Sequence, residues 1–226
     1  VVVVLDSGID QSHPDIHQLT GETFTGSSSN GEPSNMCDNH GTAVAGCVAA
    51  TIDNNIGVVG VAPHCFVRAG KVFNEVSLFD LICLPFLEFQ DSWVVSGITW
   101  ASSSGASITN SSWGGGTPSS SITNAFNQTR DDGLLHIAAA GNDGTSTIGW
   151  PANLNSVVAV AAMSSNGTLA SFSTFGNGLF ISAPGEGIRT TDRSGSDGYD
   201  GGDTTTISGT SFASPYTAGV AALIRS

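Results

Sequence analysis

Three side chains of this sequence have the chemistry of a nucleophile, a base and an orienting acid. The candidate nucleophile is Ser211, which lies in the small-residue stretch 209–215, directly before an apolar segment that predicts a buried helix. The free N–H groups and the dipole at the start of such a helix would stabilise an oxyanion as the serine attacks. Serine is also common at ordinary helix starts, so catalysis requires a base and an acid elsewhere in the chain.

The candidate acid and base both lie near the beginning of the sequence. Asp6 follows the apolar run 1–5, which is typical of a parallel strand buried on both faces, and α/β folds place catalytic groups where such strands end. His40 begins a run of small and apolar residues that predicts a tightly packed helix, in which an imidazole has few rotamers. The order acid, base, nucleophile is one in which Ser-His-Asp triads occur. A phosphatase of the haloacid type also begins with a strand and an Asp, but its second Asp would fall at Gly8.

The composition indicates a globular, loop-rich chain and excludes some classes of function. Of the 226 residues, 39% are hydrophobic, 11% are charged and 29 are glycine. The net charge of −13 argues against nucleic-acid binding and suits a secreted protein or a cation binder. No apolar run is long enough to cross a membrane, and no signal peptide is visible. We expect one domain over residues 1–226, trimmed at both ends, because both ends lie in apolar segments.

Predicted strands alternate with predicted helices along the chain, which favours a parallel sheet with helices on both faces. The predicted strands cover 1–5, 66–72, 106–112, 134–140, 156–163 and 179–182. The predicted helices cover 40–50, 93–104 and 119–132, with a last one from Ser211 onward. The polar segment 11–38 is interpreted as a surface loop, and His136, inside a predicted strand, as a core residue.

The four cysteines are Cys37, Cys47, Cys65 and Cys83. They allow three full pairings and match no zinc-binding spacing. Suspected secretion is compatible with one disulfide, and the alternative of none stays open. Cys47, in the apolar helical run after the histidine, is interpreted as a small buried hydrophobic residue.

Four motifs resemble, in the same order, those of the subtilisin-like serine proteases (subtilases). They are 4–9 around the acid, 39–46 around the base, 139–142, and 208–215 around the nucleophile, with weaker matches at 60–63, 112–115, 150–152 and 183–185. The resemblance covers nearly the whole chain. It implies an α/β three-layer sandwich with a mainly parallel sheet of about seven strands flanked by helices. It also implies a serine endopeptidase that works through an acyl-enzyme.

The resemblance assigns roles to individual residues. Ser211 would attack the peptide carbonyl, His40 would move the proton, and Asp6 would hold the imidazole. Asn142 would donate a side-chain N–H to the oxyanion, together with the backbone N–H of Ser211. The residues that would bind substrate are Asn110, Ser111, Ser112, Trp113, Gly114, Ala139, Ala140 and Gly141. Their small walls suggest broad specificity with a roomy apolar S1 pocket, the pocket for the residue before the scissile bond.

The resemblance also implies a structural Ca²⁺ ion. Asp15 matches the carboxylate ligand, Asn54 the side-chain amide, and Ile52, Ile56 and Val58 the backbone oxygens. These are the hard oxygen donors that Ca²⁺ prefers. The loop has one residue more than the family pattern, so an Asn-rich turn without an ion is the alternative.

The segment 73–91 departs from the family, which often has a short polar loop here. We interpret this apolar segment as a locally buried loop-helix. The alternative is an apolar flap that extends the far unprimed side of the cleft, or that holds a partner.

The resemblance further implies a secreted, extracellular monomer that acts on peptide or protein substrates, binds neither nucleic acid nor membrane, and is made as a zymogen with an N-terminal propeptide. Two alternatives stay open: a catalytically silent subtilase-like binding module, and a processing protease of narrow specificity. The intact Asp6, His40, Asn142 and Ser211 favour an active enzyme over the silent module.

Overall fold

The computed structural model describes residues 1–78 and 82–226. Its strands are β1 Val2–Asp6, β2 Gln18–Thr23, β3 Val67–Lys71, β4 Phe73–Leu78, β5 Ile82–Phe89, β6 Ile108–Ser111, β7 Leu135–Ala139, β8 Val157–Met163, β9 Leu179–Pro184, β10 Ile188–Thr191 and β11 Thr204–Ile207. Its helices are α1 His40–Ala49, α2 Asp91–Ser103, α3 Ser120–Asp131 and α4 Thr210–Arg225.

Seven strands form one parallel sheet in the order β2-β3-β1-β6-β7-β8-β9. Strand β1 pairs with β3 on one side and with β6 on the other. Its side chains alternate between two cores: Val2 and Val4 pack with α1 and α4, while Val3 and Leu5 pack with α2 and α3. The helices therefore cover both faces of the sheet, and the predicted α/β three-layer sandwich is confirmed.

The predicted helices and most strands lie within two residues of their expected bounds. Strand β2 was not expected, because it lies inside the predicted surface loop 11–38. It is an edge strand with one buried residue, so it lacks the apolar run that identifies an internal strand. The small antiparallel pair β10–β11 was also missed.

The prediction of a buried loop-helix over 73–91 is wrong. Strands β4 and β5 form an antiparallel hairpin, and its apolar side chains Ile82, Phe86 and Phe89 are exposed. The apolar residues Phe79 and Leu81, which entered that prediction, lie outside the described residues. A disulfide joins Cys83 on β5 to Cys37, with 5.4 Å between the two Cα atoms. Of the pairings that the sequence left open, the structure therefore has this one, with Cys47 buried and free.

His136 is a satisfied core residue, as predicted. Its Nδ1 lies 2.7 Å from the hydroxyl of Thr109 and its Nε2 lies 3.0 Å from the hydroxyl of Thr129. The ring of Phe126 packs edge-on against it. Burial lowers the pKa of His136 to about 4, because a charged imidazole would lose its water there.

This lowered pKa predicts an acid-sensitive contribution to stability. In the unfolded chain, His136 has the ordinary pKa of about 6.5 and binds a proton as the pH falls below that value. In the folded chain it binds this proton only near pH 4. The contribution is therefore complete above pH 6.5 and is lost as the pH falls toward 4. The free energy of unfolding, measured with urea, should fall between pH 7 and pH 4.5 by roughly 2 kcal/mol less in His136→Asn than in the wild-type chain.

The control for this experiment is His64→Asn, because His64 is exposed. It should keep the wild-type dependence on pH. An equal loss in His136→Asn and in the wild-type chain would contradict the assignment.

Candidate active site

Asp6 and His40 meet at the carboxyl end of strand β1. The buried carboxylate of Asp6 lies 2.9 and 3.0 Å, through its two oxygens, from Nδ1 of His40. It also accepts a hydrogen bond from the backbone N–H of Ser7. Burial lowers the pKa of His40, but the carboxylates of Asp6 and Glu75 together outweigh burial and raise the pKa to about 9. The Asp6 carboxylate therefore orients the imidazole and stabilises the imidazolium that forms when His40 accepts a proton.

Ser211 lies in the first turn of helix α4, as the sequence predicts. Its hydroxyl donates a hydrogen bond to the backbone oxygen of Ser112 at 3.0 Å. Between Ser211 and His40 themselves, the described residues show no hydrogen bond. The next residue, Phe212, packs its ring against the imidazole at 5.7 Å between centroids, and both Ser211 and His40 line one cavity of about 370 Å³. The structure thus brings His40 and Ser211 to a single cavity, while Asp6 is buried and bonded to the imidazole of His40.

The side chain of Asn142 is oriented by Thr210. The oxygen Oδ1 accepts hydrogen bonds from the backbone N–H of Thr210 at 2.8 Å and from its hydroxyl at 2.9 Å. Because both partners donate, the amide oxygen must face them, and Nδ2 of this cavity-lining residue has no hydrogen-bond partner among the described residues. Thr210 is a functional residue that the sequence interpretation missed. The one signal for it was its position next to Ser211 in the motif 208–215.

Most of the predicted substrate-binding residues line this cavity. The residues on its wall are Ser112, Trp113, Gly114, Ala139, Ala140 and Gly141. The structure does not bring Asn110 and Ser111 to its wall, and both side chains are buried. Asn110 instead donates to the hydroxyl of Ser112 and accepts from the hydroxyl of Ser214, so it ties β6 to α4 behind the cavity.

The hairpin supplies cavity residues that the sequence interpretation missed. Phe73, Glu75 and Leu87 line the cavity beside His40, and so does Asp143 from the loop after β7. The sequence placed the segment 73–91 at the cleft only in the flap alternative, and it singled out none of these three residues.

A second cavity, of about 380 Å³, adjoins the first. The two share Phe73, Leu87 and Trp113. Phe86 and Phe89 of the hairpin line the second cavity alone. Its wall is therefore largely aromatic and aliphatic.

Lys71 is a fully buried cation close to Asp6. Its Nζ donates to the backbone oxygen of Ser7 at 2.6 Å, to Oδ2 of Asp38 at 2.8 Å and to the backbone oxygen of Phe73 at 3.1 Å. Burial lowers the pKa of Lys71, and the Asp38 carboxylate opposes that shift. Its three partners explain how an ammonium group is held there.

Of the other predicted Ca²⁺ ligands, Asn54 and Val58 contact Asp15. This buried carboxylate accepts hydrogen bonds from Nδ2 of Asn54 at 2.6 Å and from the backbone N–H of Val58 at 2.8 Å. The amide oxygen of Asn54 accepts from the backbone N–H of Ile56. The loop thus contacts the Asp15 carboxylate through Asn54 and Val58, and within the described ranges no cationic side chain pairs with that carboxylate.

The carboxylate of Asp15 is a hard oxygen donor that is buried without a cationic partner among the described residues, which fits a hard cation, but the neighbours that it now accepts from are the N–H groups of Asn54 and Val58. Asn54 would have to present its amide oxygen in place of its nitrogen. A cluster of three or more His, Cys, Asp or Glu side chains suited to a metal is absent from the described part of the chain.

Comparisons with known proteins agree with this geometry. The model of the Subtilase family matches residues 1–226. Over 229 residues the chain is 40% identical to Subtilisin NAT of Bacillus subtilis subsp. natto, a match that covers 100% of this chain and 55% of that relative. The chain thus spans about half the length of this curated relative.

Solved structures give the same result. A cold adapted subtilisin-like serine proteinase superposes with a TM-score of 0.78 at 30% identity, over 99% of this chain and 74% of the other. The Prenylagaramide maturation protease PagA superposes with a TM-score of 0.75 at 30% identity, over 99% and 73%. The matched family model, the identity over the full chain and the shared fold show that this chain belongs to the Subtilase family.

Proposed function

We propose that this chain is the catalytic domain of a serine endopeptidase that hydrolyses peptide bonds through an acyl-enzyme. The observation that carries the proposal is the Asp6–His40 pair at a cavity that Ser211 and Asn142 also line. Membership of the Subtilase family supports it independently.

In acylation, Oγ of Ser211 attacks the peptide carbonyl carbon while Nε2 of His40 takes the hydroxyl proton. The hydroxyl must first turn from the backbone oxygen of Ser112 toward the imidazole, a change that substrate binding commonly brings about. Asp6 stabilises the imidazolium, and the charged carbonyl oxygen accepts hydrogen bonds from Nδ2 of Asn142 and the backbone N–H of Ser211. The tetrahedral intermediate then collapses, the C–N bond breaks, and the amine leaves with the proton from His40.

Deacylation repeats these steps with water. His40 takes a proton from the water as its oxygen attacks the ester carbonyl, and the same donors stabilise the second oxyanion. When the C–O bond to Ser211 breaks, the serine oxygen recovers the proton from His40. The product is a free carboxylic acid, and the enzyme is regenerated.

The walls of the first cavity support a roomy, apolar S1 pocket and broad specificity. Ala139, Ala140 and Gly141 leave space for a large side chain, opposite Trp113 and Gly114. One structural relative, PagA, is a maturation protease, and this relationship keeps a processing enzyme of narrow specificity as the second candidate. A peptide library varied at the residue before the scissile bond separates the two.

We extend the proposal to a secreted, extracellular monomer that is made as a zymogen with an N-terminal propeptide. The acidic net charge of −13 and the family relationship support this extension. No helix within residues 1–78 and 82–226 has the length and apolarity to cross a membrane.

Replacing the proposed nucleophile should remove the activity. Ser211→Ala should lower casein hydrolysis by roughly 10⁴-fold or more and abolish labelling by a fluorophosphonate, because the attacking oxygen is lost. Asn142→Ala should lower kcat by ~10²–10³, a magnitude that comes from a subtilisin, a relative of this chain. Ser103→Ala, an exposed serine on α2, serves as the control and should keep full activity.

The same experiment tests the silent binding module. A folded wild-type chain that neither hydrolyses casein nor takes the label would support that module and would overturn the proposal. Labelling of Ser211→Ala as strong as that of the wild-type chain would assign the nucleophile elsewhere.

The hairpin supports a second specificity pocket. We propose that the second cavity receives a large apolar side chain of the substrate on the far unprimed side of the cleft, the P4 residue. The cavity adjoins the first, and Phe86 and Leu87 line it. Because Phe86 is 64% exposed, a bound side chain would remove apolar surface from water on both partners.

Phe86→Ser should therefore reduce kcat/KM roughly 10-fold for a peptide with Phe at P4 and leave the matched Ala peptide unchanged. Ile82→Ser, also on β5 and 57% exposed, is the control and should preserve the wild-type preference. An unchanged P4 profile in Phe86→Ser would rule out this pocket.

We further propose that Ca²⁺ binds at Asp15 with Asn54 and the backbone oxygens of Ile52, Ile56 and Val58. The ion would take no part in hydrolysis and would tie the loop to the turn that carries Asp15. The buried carboxylate of Asp15, which has no cationic partner among the described residues, supports this proposal.

EDTA should accordingly lower the Tm of the wild-type chain by several degrees, because an ion that binds only the folded state stabilises it. Asp15→Asn should have a lower Tm and no response to EDTA. Asp53→Asn, an exposed change in the same loop, should respond as the wild-type chain does. No Tm shift on EDTA titration of the wild-type chain counts against calcium and favours the Asn-rich turn.

A further inference from the structure

Glu75 on the hairpin forms a hydrogen bond with the residue that begins helix α1. Its Oε1 accepts from the backbone N–H of His40 at 3.1 Å. The N-cap residue of this helix, Asn39, makes no side-chain capping bond, and the first turn holds no acidic residue. Glu75 therefore supplies, from another element, the carboxylate that usually caps a helix N-terminus.

Glu75 is itself held in place by the buried charges behind it. Its backbone N–H donates to Oδ1 of Asp38 at 2.7 Å, and Oδ2 of Asp38 accepts from Nζ of Lys71 at 2.8 Å. Asp38 is fully buried and follows Cys37, which the disulfide joins to β5 of the same hairpin. The backbone at Glu75 is thus tied to the segment 37–38 directly by a hydrogen bond and, through β5, by the disulfide.

These contacts close a ring with the catalytic pair. Lys71 donates to the backbone oxygen of Ser7, and the N–H of Ser7 donates to Oδ1 of Asp6 at 2.8 Å. Asp6 in turn binds His40, whose backbone returns to Glu75. His40 is therefore held at two points: Asp6 binds its imidazole ring, and Glu75 binds its backbone N–H.

We propose that Glu75 is a positioning residue for His40, which it holds against Asp6 by fixing the first amide of helix α1 while keeping a negative charge beside the imidazole. The expected effect of Glu75 on the reaction rate rests on the peptide-bond hydrolysis proposed above. The expected effect of Glu75 on the titration of His40 does not.

The charges around the pair set the direction of the expected effect. The imidazole faces the Asp6 carboxylate from β1 and the Glu75 carboxylate from β4, and both raise the pKa of His40 against the opposing effect of burial. Burial raises the pKa of Glu75, which also interacts with His40 and Asp6. From the other elements, the ammonium of Lys71 and the phenol of Tyr199 interact with the Glu75 charge. Removing that charge should therefore lower the pKa of His40.

Two variants separate charge from position. Glu75→Gln keeps a side-chain oxygen that can accept from His40 but removes the charge, and Glu75→Ala removes both. Both variants should lower the pH at the midpoint of the His40 titration by about 0.5–1 unit. This titration is measured by NMR of the imidazole ring carbon in a Ser211→Ala background. In the active chain, the acid limb of kcat/KM should move in the same direction.

The two variants should differ in kcat at the pH plateau. Glu75→Ala should lose about 10-fold, because the start of α1 is released, whereas Glu75→Gln should stay within about 3-fold of the wild-type value. Glu88→Gln is the matched control: Glu88 is an exposed carboxylate on the other strand of the hairpin, bonded to Asn74. It should leave both the titration and kcat unchanged.

An unchanged His40 titration in Glu75→Gln, or a plateau kcat in Glu75→Ala equal to the wild-type value, would overturn the proposal. If Glu75→Ala does not fold, Glu75→Gln still decides through the titration. If the wild-type chain hydrolyses no peptide, the proposed function fails, and the NMR titration continues to test Glu75 on its own.

Discussion

The hydrogen bond between Asp6 and His40 requires the end of a buried strand and the start of a helix to lie in direct contact. The sequence makes this possible by removing side chains where the two elements meet. A Cβ on Gly41 would lie 2.2 Å from the backbone oxygen of Gly8, closer than any real contact, so glycine is needed there. Every residue of α1 after the histidine is buried, which fixes the axis of the helix and with it the imidazole.

That contact also concentrates charge in a place that water does not reach. Asp6, Asp38 and Lys71 are fully buried, and Glu75 and His40 lie beside them. Buried charges are costly unless each is paired and hydrogen-bonded, and here they are linked in one closed ring. The hairpin takes part in the ring through Glu75. The segment that departs most from the family pattern is therefore connected to the pair of Asp6 and His40, which matches that pattern.

The sequence predicts the features that depend on local pattern. The apolar run 1–5 identified an internal strand, and the small-residue motifs placed Asp6, His40 and Ser211 where elements begin or end. It failed where the deciding contacts are distant in sequence. The segment 73–91 is apolar because it faces a cleft and not a core, and composition alone does not distinguish the two. Glu75 and Lys71 could not be identified as neighbours of His40, because their positions follow from the hairpin and from the pairing of β3 with β1.

Strand β1, near the beginning of the chain, lies between β3 and β6 in the sheet, while the helix that carries Ser211 lies near the end of the sequence. These long-range pairings have a consequence for biosynthesis. As the chain leaves the ribosome, the pair of Asp6 and His40 must wait for residue 211 before a nucleophile can join it, and sheets built from distant strands form slowly. Under the proposed function, a nascent chain whose first half has already folded therefore still lacks the serine that would act as its nucleophile.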